Sequence, residues 1–112
     1  MGGDFGAVPV AGTVVVAVVE RLGGTVELTF RDEGGRERRV AFVEPLAFEV
    51  LSLLDVVLSG VAVSAQDPWI GAVCAALGED PGGYRCFSLL DRAGLARFRM
   101  VARDATWLPA GT

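Results

Sequence analysis

Three arginines at alternate positions mark the stretch of this chain best suited to binding a ligand. Arg97, Arg99 and Arg103 lie at odd positions, and the even positions between them are apolar. Because successive side chains of a strand point to opposite faces, this spacing predicts one apolar face and one arginine face. A guanidinium presents a planar fork to carboxylates and phosphates. We therefore take the arginine face, together with Tyr84 and Ser88 on the preceding strand, as the candidate peptide- or anion-binding site.

The same pattern also describes a solvated surface. The chain has 14 acidic residues, and exposed ion pairs are common and contribute little to stability. The alternative is that carboxylates of neighbouring elements already occupy these arginines. Arg36, Arg38 and Arg39, at an earlier turn, are open to the same two interpretations.

Two registers are open for the hairpin that carries this face. A four-residue loop, Asp91–Gly94, pairs Phe87 with Phe98 and leaves the polar residues of the first strand beside the arginines. A three-residue loop with Gly94 in a bulge places those polar residues with Phe98 instead. The first register is favoured because it gathers more bulky apolar area on one face.

The sequence offers few side chains that could act in catalysis. The chain lacks His and Lys, and its ten basic residues are all Arg, so the commonest general base and the Schiff-base nucleophile are missing. Cys74 falls on an apolar helical stripe, and Cys86 could face an arginine but has no His to activate it. Glu44, Glu49 and Asp55 have no metal-loop spacing. We expect no catalytic residues, no metal, no cofactor and no enzyme activity.

Composition defines the class of protein. A chain of 112 residues with 52% hydrophobic residues predicts one folded domain, residues 13–108, between a loose arm at 1–12 and a frayed tail at 109–112. A formal charge of −4 argues against nucleic acid. The long apolar run from Leu46 to Ala65 is interrupted by two carboxylates, which argues against a membrane span. With no signal-peptide pattern and no disulfide framework, the expected location is the cytoplasm.

The first 43 residues predict a three-stranded meander. Valines occupy both faces of the first strand, Thr13–Leu22, which predicts a central strand or a subunit interface through Val14, Val16 and Val18. A two-residue Gly23-Gly24 turn would pair Val19 with Leu28.

The third strand, Glu37–Val43, follows a turn at Asp32–Arg36. Pairing Phe30 with Val40 keeps the apolar face continuous and sets Asp32 opposite Arg38.

The middle of the chain contains one ambiguous segment and one clear helix. Pro45–Gly60 fits either a helix or strands at Ala47–Leu53 and near Val57–Ala65, and the strands are weakly favoured. Pro68–Leu77 predicts a helix, with Asp67 as N-cap, Pro at the first position and Gly78 after the end.

These elements predict a β-rich α+β fold. We expect a small antiparallel bent sheet or half-open barrel of about six strands, covered by the helix Pro68–Leu77. Sheet edges left open in so short a chain can add a partner's strand. We expect a non-catalytic homodimer that holds a peptide or partner protein. The composition fits a GC-rich genome, where peptide natural-product pathways are common, so the held peptide could be the precursor peptide of a ribosomal pathway. The alternatives are an immunity-type inhibitor and a small barrel enzyme using carboxylates, Tyr84 or Cys86.

Overall fold

In the described part of the chain, two four-stranded antiparallel sheets and one helix make up the fold. The structure is a computed structural model that describes residues 10–109. Its elements are β1 (Val14–Arg21), β2 (Thr25–Arg31), β3 (Glu37–Val43), β4 (Ala47–Val50), β5 (Leu58–Ser64), α1 (Pro68–Leu77), β6 (Arg85–Asp91), β7 (Ala96–Ala102) and β8 (Asp104–Trp107). The sheet orders are β1-β2-β3-β8 and β4-β7-β6-β5. Among the described residues, no helix has the length and hydropathy needed to cross a bilayer.

Two bent pairs of consecutive strands, which we call ribbons, run through both sheets: β3 continues into β4, and β7 continues into β8. β3 pairs with β8 and β4 pairs with β7, so each ribbon leaves one sheet at a corner and enters the other. Glu44 occupies the first corner with a φ of 50°. Arg103 occupies the second, forms an ion pair with Glu44, and donates from its backbone N–H to the oxygen of Val43 at 3.0 Å. Strands that change sheet at such corners are typical of orthogonal sandwiches.

Counted along the ribbons, the fold is one strongly bent sheet of six strands in the order β1, β2, β3/β4, β7/β8, β6, β5. The outer edges of β1 and β5 do not close into a barrel. The start of β5 is joined to the residues just before β1, because the backbone of Leu58 exchanges hydrogen bonds of 2.9 Å with Gly12 and Thr13. The predicted fold class, a bent β-rich sheet with one covering helix, is therefore confirmed.

The core lies between the two sheets and is rich in aromatic side chains. Phe42 makes edge-to-face contact with Phe87 at a centroid distance of 5.5 Å and also packs on Phe98. Val10 belongs to this core, although it falls in the predicted loose arm. The rest of that arm, residues 1–9, lies outside the described residues, as does the tail beyond Pro109.

The helix forms a second, smaller core on the outer face of β6 and β7. Ile70 and Cys74 pack there against Tyr84, Cys86 and Val101. The predicted start and end are confirmed, because Asp67 accepts from the N–H of Trp69 and Gly78 adopts a left-handed conformation with a φ of 70°. The helix therefore covers the face of the hairpin that also carries the arginines.

One turn type closes two hairpins. At Asp32–Arg36 and at Asp91–Leu95 the aspartate N–H donates to the carbonyl four residues later, and the glycine before the last residue donates back. Gly35 and Gly94 have φ values of 82° and 81°, as a three-residue loop with a glycine bulge requires. Each aspartate carboxylate also accepts from backbone N–H groups of its own turn.

These turns make the predicted β2–β3 and β6–β7 registers wrong. In the first hairpin the tighter turn shifts the pairing by two residues, so Phe30 faces Arg38 and Leu28 faces Val40. In the second the loop has three residues, but a bulge between Leu89 and Leu90 restores the predicted faces, with Phe87 opposite Met100.

The β1–β2 register is also wrong, and β1 is not a central strand. The turn contains Leu22 as well as the two glycines, so Val18 rather than Val19 faces Leu28. A bulge between Val15 and Ala17 absorbs the extra residue and returns Val15 to the core. β1 lies at the edge of its sheet.

The ambiguous middle segment is extended, as favoured. β4 ends at Val50, three residues before the predicted end, and β5 runs from Leu58 to Ser64 within the predicted range. β8 was not predicted.

Candidate functional site

The arginine face lies on the outer side of β7, beside the helix. Ser88 pairs with Arg99 across the two strands, and Cys86 pairs with Val101. The opposite side of β7 carries Phe98 and is buried in the main core. The predicted separation into an apolar and a polar face is therefore present in the structure.

Arg97 is held at the end of the β6–β7 hairpin. Its Nε donates to Asp91 Oδ2 at 2.9 Å, and its Nη1 lies 3.3 Å and 3.2 Å from the carbonyl oxygens of Leu51 and Ser52. Asp91 is only 7% exposed and also accepts from the N–H groups of Ala93 and Leu95. The hydrogen bond from Arg97, followed by that from Leu95, lowers the pKa of Asp91. Arg97 therefore compensates a nearly buried carboxylate.

Arg99 connects three elements. It donates to Asp67 of the helix N-cap at 3.0 Å and to Glu49 of β4 at 3.1 Å. Its guanidinium lies 4.6 Å from the ring centroid of Trp69, and its Nη2 is 3.7 Å from the sulfur of Cys86. Arg99 thus ties α1 to the sheet.

Arg103 lies at the corner rather than on the same face. It pairs with Glu44, and its guanidinium stacks 4.5 Å from the ring centroid of Tyr84. The hydrogen bond to Glu44 raises the pKa of Arg103. The structure therefore brings Arg99 and Ser88 together but sets Arg103 and Tyr84 apart from them.

A shallow cavity of about 260 Å³ opens beside the first two arginines, lined by Glu49, Val50, Leu51, Ala96, Arg97 and Arg99. An acidic ligand in this cavity would have to compete with carboxylates already bound to both guanidiniums. The Arg99–Glu49 pair is partly exposed and contributes little, so it can exchange for a ligand carboxylate. Displacing Asp91 from Arg97 would leave a nearly buried charge without its partner and would cost more. Anion binding at this cavity remains a prediction. Its cost in free energy is that of displacing the carboxylates that the two arginines already bind.

Most of the side chains considered for catalysis are either buried in a core or engaged in ion pairs. Cys74 and Cys86 are buried free thiols in the helix-side core. Glu44 and Glu49 form the ion pairs described above. Within residues 10–109, no group of three or more His, Cys, Asp or Glu side chains is placed to hold a metal ion.

The candidate interface residues Val14, Val16 and Val18 are half-buried along β1. β1 pairs with β2 on one side and meets Leu54 in a single bridge on the other. These valines therefore lie along an edge of the first sheet, with exposed Leu54 beside them.

A second edge, at β5, was not singled out from the sequence. Its signal was present nevertheless, because Asp67 is the only charged residue between Val56 and Gly78. Among the described strands, β5 pairs with β6 at the end of the second sheet, and its residues Ala62, Val63 and Ser64 are exposed.

Comparison of the chain with protein-family models, with curated proteins and with solved structures gives no match. The function is therefore inferred from contacts, burial and charge.

Replacing Asp91 with asparagine is expected to lower the thermal unfolding temperature at pH 7. Asparagine keeps an oxygen for the turn but loses the charge that pairs with Arg97. Because the folded-state pKa of Asp91 lies below its ordinary value of 3.8, the carboxylate stabilises the fold above that pH. This stabilisation disappears as the pH falls through the folded pKa.

The difference between wild type and Asp91→Asn should thus shrink in acid when unfolding is followed by circular dichroism from pH 7 downward. Glu33→Gln, in the exposed part of the first turn, is the control and should match wild type at neutral pH. A difference for Asp91→Asn that stays constant into acid would contradict this role.

Proposed function

We propose that the protein is a non-catalytic protein-binding module. Its docking surface consists of the open edge of β5 and the exposed side of α1, and its first occupant is a second copy of the chain. The dimer would then hold a partner polypeptide. The observation that carries the proposal is the nearly uncharged stretch from Val56 to Gly78, which forms both an edge strand and a surface helix.

The β5 edge lacks the protection that edge strands usually have. Natural proteins guard exposed edges with charged residues, proline or a covering segment. β1 carries Glu20 and Arg21, and β4 carries Glu49. β5 has no charge and no proline, and among the described residues Gly12 and Thr13 form backbone hydrogen bonds to this edge, at Leu58. Within residues 10–109, no strand pairs with the rest of this edge, and we propose that it accepts another strand.

The helix, which follows β5 in the chain, also has an uncharged exposed side. Its inner side packs on the sheet through Ile70 and Cys74, whereas Ala72, Ala76 and Leu77 are exposed. Leu77 is 56% exposed. Soluble surfaces usually carry about 25–35% charged residues. Depletion of charge on an exposed strand and helix is instead the composition of an interface core.

A second copy suits this surface because of its symmetry. In a two-fold dimer the same patch faces itself, so a charge near the axis would meet its own copy. Like charges directly opposite each other destabilise paired strands. An uncharged β5 avoids this repulsion, and antiparallel pairing with its copy would join two four-stranded sheets into one.

A non-catalytic role agrees with the chemistry of the chain. The sequence has no His and no Lys. The buried carboxylate, Asp91, has a lowered pKa, the opposite of what a general acid at neutral pH needs. A dimer that presents two copies of each cavity would serve equally to hold a precursor peptide for a biosynthetic enzyme or to inhibit a partner protein.

Replacing Val63 with lysine is expected to convert the dimer into a monomer. Two lysines would meet near the axis, and like charges brought together at an interface cost several kcal/mol, or a loss of affinity of about 100-fold or more. Light scattering coupled to size exclusion should give twice 11.7 kDa for wild type and 11.7 kDa for the variant.

Val19→Lys is the matched control, because Val19 and Val63 are edge-strand valines with 39% and 37% exposure. This variant should remain a dimer. A wild-type chain that is monomeric at every concentration, or a dimer lost only in Val19→Lys, would overturn the β5 assignment. The second result would move the interface to the Val14, Val16 and Val18 edge.

A further inference from the structure

The structure assigns a carboxylate-binding site to a cavity where Arg36 and Arg38 meet Trp107. We infer that its ligand is the carboxylate of an acidic side chain, or of a C-terminus, on a polypeptide. The inference rests on the proposed function in one respect: it names the chemistry of the polypeptide that the module would hold.

The β2–β3 register creates the site. Because the tight turn sets Arg38 opposite Phe30, Arg38 falls on the side of β3 that faces the core. It cannot enter the core as a charge, and its guanidinium lies instead 4.3 Å from the ring centroid of Trp107 on β8. Stacking of this kind fixes the plane of the guanidinium and leaves its N–H edges available for a bidentate carboxylate.

Arg36 supplies the second cation. It follows Gly35 at the end of the turn, where its backbone N–H donates to Asp32 Oδ1 at 3.0 Å. Its exposed side chain lines the same cavity as Arg38. The turn therefore positions Arg36 through its backbone and leaves the guanidinium to face a ligand.

The charge distribution separates these two arginines from most others in the chain. Seven arginines form ion pairs with carboxylates: Arg21, Arg31, Arg39, Arg85, Arg97, Arg99 and Arg103. In the described part of the chain, Arg36, Arg38 and Arg92 have no carboxylate oxygen within 4.0 Å. Only Arg36 and Arg38 of these three line a common cavity. Asp32, whose carboxylate accepts a hydrogen bond within the turn, also lines this cavity. The charged side chains of the cavity therefore carry a net charge of +1.

The size of the cavity restricts the ligand. Its volume is about 220 Å³, below the roughly 300–1,000 Å³ of ordinary small-molecule sites. A group the size of one amino-acid side chain fits this volume. Ala11, Phe30 and Trp107 provide apolar walls for methylene groups, and the two guanidiniums provide the polar end. This combination suits glutamate or a terminal residue.

The position of the site links it to the docking edge. Thr13, which lines the cavity, accepts a hydrogen bond from the N–H of Leu58 at 2.9 Å. The cavity therefore adjoins the first residue of β5. In the proposed dimer each copy would carry one carboxylate site at this end of the joined strands.

Three blocked amino acids test the site with the full chain. N-acetyl-glutamate N-methylamide carries only a side-chain carboxylate, N-acetyl-glutamine carries only a terminal one, and N-acetyl-glutamine N-methylamide is neutral. Each is titrated into ¹⁵N-labelled protein while the indole N–H signals of Trp107 and Trp69 are followed. Trp69 is an internal control, because it lies beneath Arg99, which already has two carboxylate partners.

At least one of the two carboxylates should shift the Trp107 signal in a saturable manner, and the one that binds more tightly identifies the source. The neutral compound should not. Arg36→Gln and Arg38→Gln should each weaken binding by about tenfold or more, the size expected for a charge-assisted hydrogen bond. Arg92→Gln, at an arginine equally free of ion pairs, should have no effect.

Equal shifts with the neutral compound, a response at Trp69 in place of Trp107, or unchanged binding in both glutamine variants would overturn the site. The same titration on Val63→Lys separates the two proposals, because the cavity does not include β5. Carboxylate binding by a monomeric wild type would keep the site and remove the dimer, and a dimer that binds no carboxylate would do the reverse.

Discussion

Phe42→Ala is expected to lower the free energy of unfolding by about 3–5 kcal/mol, as truncation of a fully buried phenylalanine does. Phe42 is completely buried and contacts Phe87 and Phe98 of the opposite sheet. Its loss opens a cavity between the sheets that rigid strands cannot fill. Urea unfolding followed by tryptophan fluorescence measures the effect.

Phe48→Ala provides the comparison. Phe48 stacks on Phe98 with a centroid distance of 5.9 Å, but it is 38% exposed at the sheet edge. Its truncation should cost about 1 kcal/mol, the scale of an aromatic pair at a partly solvated site. A loss for Phe42→Ala no larger than that for Phe48→Ala would show that the aromatic cluster does not hold the two sheets together.

Ile70→Ala should have the second largest effect, a loss of about 2–5 kcal/mol. Ile70 is 3% exposed and anchors α1 on the outer face of β6 and β7. Without the Ile70 side chain, the helix loses one of its two buried side chains, the other being Cys74. Chemical unfolding of Val63→Lys as the background isolates this effect from dimer dissociation.

Leu77→Ala is the matched change on the opposite side of the helix. In the Val63→Lys background it should alter stability by no more than about 0.5 kcal/mol, as exposed positions usually do. In the wild-type background it should weaken the dimer, because the exposed leucine belongs to the proposed docking surface. Similar losses for Ile70→Ala and Leu77→Ala in the monomeric background would contradict the orientation of the helix.

The parts of the fold that were predictable are those fixed by local chemistry. Asp67, Pro68 and Gly78 define both ends of the helix by capping and backbone preference, and the structure agrees. Alternation along β2, β6 and β7 likewise identified their buried faces, because the face depends only on parity. A two-residue shift, as in β2–β3, leaves parity unchanged.

Strand registers and the corners where strands change sheet were harder to predict from the sequence. They depend on turns and bulges, where one extra residue changes the partner without changing the composition. Glu44, Ser52 and Asp55 adopt positive φ values at bends, and none is a glycine that would mark the bend. Tertiary pairing imposes these conformations, and propensity does not reveal them.

In the candidate site, too, local features could be predicted from the sequence, whereas contacts between distant residues could not. The alternation of Arg97 and Arg99 predicted a polar face, but Asp67 and Glu49, which contact Arg99, lie on the helix and on β4. Such partners are brought together only by the fold. Arg38 is a sharper case, because its contact with Trp107 depends on a strand that the sequence pattern did not predict.

The place of β8 has a consequence for how the chain is made. β8 leaves the ribosome after the other described strands, yet it pairs with β3 in the sheet that begins with β1. Until residues 104–107 emerge, the nascent meander exposes the edge of β3 and the unfilled position of Trp107. The first sheet is therefore complete only after the strands of the second sheet have been synthesised. A truncation before Trp107 would leave an open strand edge prone to aggregation rather than a smaller native protein.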